Sequence, residues 1–187
     1  MSVDITVLIP TIPPRRATFE RAVASVQAQT LRPAAVWAEM DADRTGAAAT
    51  RNRLLEQVRT EWTAFLDDDD VMYPNHLKLC ARYATLTGVD VVYPGYDCDD
   101  DPVNCFGLPF DAGLLRRRNF IPVTVLARTE AVLAAGGFQE RTDENGDPCE
   151  DWGLWLAMLD RGARFGHLPV RTWRWNLGGT RGRPDRW

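Results

Sequence analysis

A short apolar strand that runs directly into four consecutive aspartates constrains the fold of this 187-residue chain more than any other feature. Residues 62–66 are apolar with one exception, which is typical of a buried strand. The aspartates at residues 67–70 repel one another and would stabilise neither a helix nor a strand. Alternation along an extended chain places Asp67 and Asp69 on one side, where two carboxylates are suitable ligands for Mg²⁺ or Mn²⁺. A solvated acidic loop is the alternative interpretation.

Strands and helices alternate through the first half of the chain, which predicts a mostly parallel α/β sheet flanked by helices. Predicted strands span residues 3–9, 34–40, 62–66 and 89–93, and predicted helices span residues 18–28, 46–58 and 75–83. The carboxyl ends of parallel strands meet at one edge of a sheet, and open α/β sheets bind their ligands at that edge. We therefore expect the acidic run to lie in a ligand-binding cleft.

The second half of the chain is less regular, and it predicts a smaller antiparallel part of the same fold. The predicted elements are a strand at residues 120–127, a helix at 129–135, a helix from residue 149 and strands at 164–168 and 170–175. A surface loop is expected at residues 96–111, and His76 is expected on the surface of its helix. We treat the chain as one domain consisting of residues 1–95, residues 96–175 and a tail at residues 176–187.

Charge is distributed unevenly along the chain. The net charge is −4, but seven arginines and one aspartate lie from Arg161 onward, so this end alone carries about +6. The negative net charge of the chain does not by itself favour nucleic-acid binding. The basic tail is predicted either to close as a lid over the acidic site or to be a poorly ordered terminus.

The sequence lacks the motifs of several common types of binding site and of membrane proteins. The four cysteines form no C-x-x-C pair, which counts against a zinc site or a redox motif. Neither a G-x-G-x-x-G fingerprint nor a P-loop occurs. No signal peptide is present and no apolar run approaches about 18 residues, so we expect no transmembrane segment and a cytoplasmic localisation.

Polar side chains follow the first two predicted strands as well as the third. Thr11, Arg15 and Arg16 come after the first strand, and Asp41 and Asp43 come after the second. Because these strand ends lie side by side in a parallel sheet, the arginines are placed to bind phosphate oxygens. The carboxylates are placed to hold a metal ion and the ribose or base of a nucleotide. The pattern predicts a nucleotide-diphosphate site built without a glycine-rich loop.

A second acidic pair, Glu150 and Asp151, opens a predicted helix that continues with Trp152 and Trp155. Acids at a helix N-terminus are stabilised by the helix dipole, which is one interpretation of the pair. The other interpretation makes Asp151 a general base. The tryptophans would then raise the pKa of Asp151 by excluding water, or they would pack against a sugar ring.

Seven motifs follow one another along the chain: V-L-I-P-T, S-V-Q-A-Q-T, M-D, T-R-N, A-F-L-D-D-D-D-x-x-x-P-x-x-L, G-G-F and E-D-W-x-L-W-L. In this order, from Val3 to about Trp175, the chain resembles the inverting nucleotide-sugar glycosyltransferases of family two. The resemblance implies the GT-A fold, a Mn²⁺ or Mg²⁺ cofactor, and transfer of a sugar from a nucleotide-diphosphate sugar to an acceptor hydroxyl with inversion.

The resemblance also assigns roles to residues of this sequence. On the side of the sugar donor it implies Thr11, Arg15 or Arg16, Asp41, Arg51, Asp67 and Asp68. On the acceptor side it implies Gly137, Phe138, Glu150 and Trp152, with Asp151 as the catalytic base. Asp69 is the implied direct metal ligand, together with Asp67. The expected donor is a UDP-sugar, and the expected acceptor is a saccharide, a lipid-linked glycan, a small molecule or, less favoured, modified nucleic acid.

Two other functions are compatible with part of this residue pattern. A nucleotidyltransferase would use a metal and carboxylates on a similar sheet, but the loop T-I-P-P-R-R after the first strand contains no glycine, which counts against it. A non-catalytic nucleotide- or sugar-binding module is the second alternative, and the intact D-D-D-D and E-D-W motifs count against it. The chain departs from the family at Asp41-Ala42-Asp43, where an acidic pair with Gly-Ser is usual. The position of the contact with the nucleotide base is therefore left open.

Overall fold

A mixed β-sheet organises the part of the chain that the computed structural model describes, which is residues 3–98, 107–142, 146 and 149–176. Its strands are β1 (Ile5–Thr11), β2 (Ala35–Met40), β3 (Trp62–Phe65), β4 (Val71–Met72), β5 (Val91–Cys98), β6 (Leu126–Arg128) and β7 (Phe165–Trp175). Across the sheet the order is β2-β1-β3-β6-β5-β7-β4. Strands β6 and β4 run antiparallel to their neighbours, whereas β2, β1 and β3 are mutually parallel and β5 is parallel to β7. The predicted mostly parallel α/β sheet is confirmed, with its antiparallel strands set inside the same sheet.

Helices cover both faces of this sheet. They are α1 (Arg16–Gln27), α2 (Ala47–Leu55), α3 (His76–Thr87), α4 (Ala112–Arg117), α5 (Thr129–Ala134) and α6 (Glu150–Asp160), with a 3₁₀ turn at Pro13–Arg15. Every residue of β1 is buried because its alternate side chains enter two different hydrophobic clusters. Val7 and Ile9 pack with α1 and α3, and Leu8 packs with α2 and α6. None of the helices in the described ranges has the length and apolar character needed to cross a membrane.

Several predicted boundaries differ from the structure. Helix α1 begins at Arg16 because the 3₁₀ turn runs straight into it, and the Thr18 hydroxyl donates to the carbonyl of Arg15. The strand predicted at residues 120–127 is reduced to β6, because the backbone of Ile121 is hydrogen-bonded to the side chains of Asn119 and Trp155. The two strands predicted around Pro169 are one strand, β7, which accommodates the proline where its register against β5 shifts. Part of the predicted 96–111 loop is strand β5, and residues 99–106 and the tail at 177–187 lie outside the described residues.

His76 is fully buried, so its predicted position on the helix surface is wrong. It is the first residue of α3, where the helix packs on β7, and its Nδ1 lies 2.8 Å from the Thr172 hydroxyl. Its Nε2 is buried and has no hydrogen-bond partner among the residues that the structure describes. Burial lowers the pKa of His76 to about 3, because the protonated ring has no water around it.

Acid should therefore destabilise the fold through His76. In the unfolded chain this histidine takes up a proton below about pH 6.5, but in the folded chain it does so only near pH 3. The unfolded state then binds more protons, so the free energy of unfolding falls by about 1.4 kcal/mol per pH unit as the pH drops through this window. Urea unfolding of the wild type and His76→Asn between pH 7 and pH 4 measures the effect. Parallel pH profiles for the two proteins would contradict it.

The end of α1 fixes the segment that follows the aspartates. The Gln29 amide donates to the carbonyl of Tyr73 at 2.8 Å and accepts the N–H of Leu77 at 3.0 Å. Thr30 adds a backbone hydrogen bond to the carbonyl of Pro74 at 2.8 Å. These contacts join the Q-A-Q-T and D-D-D-D motifs in space, and they position the acidic loop relative to α1 and α3.

Candidate active site

Asp68 anchors the acidic loop to the end of β1. Thr11 Oγ1 donates to Asp68 Oδ2 at 2.6 Å, and Arg15 Nη1 donates to Asp68 Oδ1 at 2.7 Å. The residue is only 1% exposed, and burial raises the pKa of its carboxyl above the ordinary value. Both oxygens of Asp68 are therefore engaged by the protein, and Asp70 is buried and accepts the N–H of Asn176 at 3.0 Å. This leaves Asp67 and Asp69 as the aspartates of the motif that are better placed to meet a ligand.

Asp69 and Asp67 form the part of the loop where negative charge accumulates. Burial raises the pKa of Asp69 to about 7, and the neighbouring carboxylate of Asp67 raises it further. Arg15 Nη1 lies 3.3 Å from Asp69 Oδ2, and Arg51 Nη2 lies 2.5 Å from Asp67 Oδ1. Two guanidinium groups thus face the three consecutive carboxylates Asp67 to Asp69, which leaves an excess of negative charge that a divalent cation would neutralise.

The donor set fits Mn²⁺ or Mg²⁺ held jointly with a substrate. Within the described ranges, no three or more acidic, histidine or cysteine side chains are grouped so as to enclose a metal ion. Mg²⁺ is usually bound by one or two protein carboxylates together with phosphate oxygens and water. Asp67 and Asp69 are the candidates for those carboxylates, and the remaining ligands would come from a bound diphosphate.

Arg51 connects the acidic loop to the start of α6. Its side chain is 3% exposed, with Nη2 on Asp67 and Nη1 donating to Glu150 Oε1 at 2.6 Å. The guanidinium carbon lies 5.2 Å from the centre of the Phe138 ring. Burial alone would lower the pKa of Arg51, but the two carboxylates outweigh it and raise the pKa. The structure thus engages Arg51 in protein contacts on two sides, and these contacts bring four of the seven motifs together.

Asn52, the next residue of the T-R-N motif, holds the G-G-F turn. Its Nδ2 donates to the carbonyl of Phe138 at 2.7 Å, and its Oδ1 accepts the N–H of Phe138 at 2.8 Å. Gly137 has a φ of +71°, and a Cβ there would lie 2.5 Å from Asn52 Oδ1. Gly136 also has a positive φ, +89°, but a Cβ there would meet nothing closer than 4.0 Å.

Substituting alanine for Gly136 and for Gly137 should lower the free energy of unfolding by unequal amounts. Gly136→Ala is expected to lower the free energy of unfolding by about 1–2 kcal/mol, because an L-residue is strained at positive φ. Gly137→Ala should cost about 1–3 kcal/mol more, because the added methyl displaces the Asn52 amide and leaves buried polar groups unpaired. Urea unfolding of both variants measures the difference. Equal costs would show that the Asn52 contact contributes nothing to stability.

Asp151 lies in the first turn of α6 and is partly buried. Burial raises the pKa of Asp151 to about 7, and the adjacent Glu150 raises it further, while hydrogen bonds from the Trp152 N–H at 2.7 Å and the Asn119 amide at 3.1 Å lower it. A carboxylate with this pKa is half ionised near neutral pH, which suits a general base.

Both tryptophans of the E-D-W-x-L-W motif are turned into the protein. Trp152 Nε1 donates to the carbonyl of Leu115 at 2.7 Å, and Trp155 Nε1 donates to the carbonyl of Ile121 at 3.0 Å. Trp155 is fully buried in the hydrophobic core, and the partly buried Trp152 packs against that core. These contacts favour the interpretation that the indoles exclude water from Asp151 over the interpretation that they stack on a sugar.

Asp41 is near the site but is occupied by its own loop. Its carboxylate accepts the backbone N–H groups of Thr45 at 2.9 Å and Gly46 at 2.8 Å. Burial alone would raise the pKa of Asp41, but these hydrogen bonds outweigh it and the pKa lies below the ordinary value. Asp41 therefore orders the turn before α2. Only the lone pairs that these hydrogen bonds leave unused could accept a hydrogen bond from the base of a nucleotide.

Arg16 does not join the cluster. Its Nε pairs with Glu20 on the surface of α1 at 2.9 Å, and its side chain is 84% exposed. Of the two arginines that the sequence offered, the structure brings Arg15 to the aspartates.

The sequence alone did not indicate that Asn52 and Asn119 belong to the candidate site. Asn52 stands in a recognised motif, which was a usable signal, but Asn119 follows three arginines in a stretch without a pattern. Its contact with Asp151 joins residues 32 positions apart, so only the fold reveals it.

Solved structures with the same fold bind nucleotide-sugars. S. aureus TarS 1-349 superimposes with a TM-score of 0.72 at 17% identity over 92% of this chain, and its complex with UDP-GlcNAc gives 0.73 at 16% over 92%. The mannosyltransferase PcManGT from Pyrobaculum calidifontis, in complex with GDP-Man and Mn²⁺, gives 0.70 at 15% over 94%. These similarities show the fold, and they confirm the GT-A prediction.

The chain spans about 60% of the length of the TarS fragment, 58% of that fragment in its UDP-GlcNAc complex and 57% of the PcManGT chain. Comparison with curated protein sequences gives no significant match. The family profile described as "Glycosyl transferase family 2" matches residues 39–135, which include the end of β2, the aspartate run and the helix before Gly137. Since the match covers more than half of the 187 residues, the chain belongs to glycosyl transferase family 2.

Proposed function

We propose that this protein moves a sugar from a nucleotide-diphosphate sugar to an acceptor hydroxyl with inversion, using a divalent metal and Asp151 as the general base. The observation that carries the proposal is the buried Arg51, which bridges Asp67 and Glu150. This single side chain links Asp67 to Glu150, the neighbour of Asp151, so we infer that the carboxylates suited to a metal and the carboxylate suited to a general base form two walls of one site.

Residues of the first three strand ends would bind the sugar donor. Asp67 and Asp69 would hold Mn²⁺ or Mg²⁺ on the diphosphate, and the metal would neutralise charge on the leaving nucleoside diphosphate. Arg15, which already lies 3.3 Å from Asp69, is placed to contact a phosphate oxygen. Asp41 and its loop lie after β2, where the base would bind. This assigns residues 1–95 to the donor and residues 96–175 to the acceptor.

Asp151 would remove the proton from the acceptor hydroxyl. When ionised, its carboxylate takes this proton as the hydroxyl oxygen attacks the anomeric carbon from the face opposite the leaving group, which inverts the configuration. Glu150, held by Arg51, fixes the start of α6, and the Gly137–Phe138 turn would line the acceptor side. Holding both substrates in line supplies much of the rate.

The relatives support the choice of donors to test. TarS binds UDP-GlcNAc and UDP, and PcManGT binds GDP-Man with Mn²⁺. We propose a UDP-sugar first and a GDP-sugar second. The acceptor would be a hydroxyl of a saccharide, a lipid-linked glycan or a small molecule.

Thermal unfolding with UDP, GDP and their sugars, with and without Mn²⁺, tests the proposal. One diphosphate should raise the melting temperature only when Mn²⁺ is present, because a ligand that binds the native state stabilises it by mass action. Asp69→Asn should abolish this shift, while Asp160→Asn, at an exposed acid that ends α6, should retain it. The shift should also weaken from pH 8 to pH 6, because Asp69, whose pKa is about 7, must be ionised to bind the metal. No shift with any nucleotide and metal would refute the transferase proposal.

A further inference from the structure

Asn119 donates a hydrogen bond to the carboxylate of Asp151 from a segment that the two indoles of α6 hold in place. Its Nδ2 lies 3.1 Å from Asp151 Oδ1, and its Oδ1 accepts the N–H of Ile121 at 3.1 Å. Because the carbonyl oxygen of the amide must face the Ile121 N–H, its NH₂ group is turned toward Asp151. The neighbouring backbone thus determines the orientation of Asn119.

The hydrogen bonds to Asp151 are concentrated on one of its two oxygens. Oδ1 receives both the Asn119 amide and the Trp152 N–H at 2.7 Å. No hydrogen bond to Oδ2 occurs within the described part of the chain. An ionised carboxylate held in this way keeps the lone pairs of Oδ2 for an incoming proton.

We propose that Asn119 is a positioning residue for the transfer reaction, because it holds Asp151 so that Oδ2 faces the acceptor hydroxyl. The reaction itself rests on the proposed function, whereas the contact does not. The charged groups around Asp151 are Glu150 on α6, which opposes its ionisation, and Arg51 on α2, which favours it. The amide of Asn119 adds a donor that favours the ionised form, which is the form that accepts the proton.

Two substitutions separate this role from a structural one. Asn119→Asp keeps the size of the side chain and an oxygen for the Ile121 N–H, but it replaces the donating NH₂ group with a like charge. Asn119→Ala removes the donor without adding charge. Asp111→Ala is the matched control, because Asp111 caps the start of the preceding helix α4 by accepting the N–H of Leu114 at 2.7 Å and no hydrogen bond joins it to Asp151 in the described residues.

The titration of the Asp151 carboxyl carbon, followed by ¹³C NMR and assigned with Asp151→Asn, is the direct readout. We expect its midpoint to rise by about one pH unit in Asn119→Ala and further in Asn119→Asp, and to stay unchanged in Asp111→Ala. In the wild type, the side-chain amide signal of Asn119 should titrate with the same midpoint and stop doing so in Asp151→Asn. This wild-type measurement remains decisive if a variant fails to fold.

Turnover gives the second readout. In Asn119→Ala the acidic limb of the kcat profile should move up by about one pH unit, which is about a tenfold loss below the midpoint, with the KM for the sugar donor unchanged. Unaltered titration of Asp151 in both variants would overturn the inference. A shifted midpoint without any transferase activity would support the contact and refute the proposed function instead.

Discussion

Asp151→Asn is expected to lower turnover by about 10²–10⁴-fold while leaving metal-dependent nucleotide binding intact. The amide keeps the size of the side chain and can still accept the Trp152 N–H, so α6 should begin in the same way. What it loses is the ability to take a proton. In the wild type, kcat should rise about tenfold per pH unit below pH 7 and level off above it, because the base has a pKa of about 7 and works when ionised. Release of the nucleoside diphosphate, with the donor and acceptor identified by screening, measures both effects.

Asp160→Asn is the matched control for this prediction. Asp160 ends the same helix and pairs with Arg116 at the surface, where both side chains are more than half exposed. Its loss should leave turnover and nucleotide binding unchanged. If Asp151→Asn keeps wild-type turnover, another group accepts the proton. If it loses nucleotide binding as well, the two walls of the site are not separable as we propose.

The sequence was most informative where a local pattern has a single physical meaning. An apolar run followed by acids indicates a buried strand with a polar end, and the alternation of strands and helices then places three strand ends together. Local patterns of this kind are sufficient to bring Thr11, Asp41 and the aspartate run to one edge of the sheet. Their roles as ligands remain predictions.

Sequence reasoning was less informative where neighbouring residues compete for one position. Arg15 and Arg16 have the same chemistry, and the choice between them depends on where a 3₁₀ turn becomes a helix. His76 lies inward because α3 packs on β7, which is a tertiary contact over 96 residues. The contact between Asn119 and Asp151 is likewise long-range. Such pairs leave no periodic signal, so a single sequence does not reveal them.

Arg51→Met is expected to lower the free energy of unfolding by about 3–5 kcal/mol, the cost of removing one partner from a buried ion pair. Methionine preserves much of the apolar contact with Phe138, so the loss would come mainly from charge. Asp67 and Glu150, whose side chains are 31% and 16% exposed, would then be left without their common counter-charge. Urea unfolding at pH 7 measures this cost. Removing the two acids as well, in Arg51→Met with Asp67→Asn and Glu150→Gln, should recover a large part of it, because no unpaired charge then remains.

Arg53 provides a control on the same helix. It lies two residues further along α2, is 40% exposed at its side chain, and pairs with Glu39 at 2.5 Å. A surface pair of this kind contributes about 0–1 kcal/mol, so Arg53→Met should cost several-fold less than Arg51→Met although both remove one arginine from one helix. Similar costs for the two variants would mean that water reaches the Arg51 carboxylates and screens them. In that case Arg51 could not couple the acidic loop to α6, and the two walls of the site would be positioned by the sheet alone.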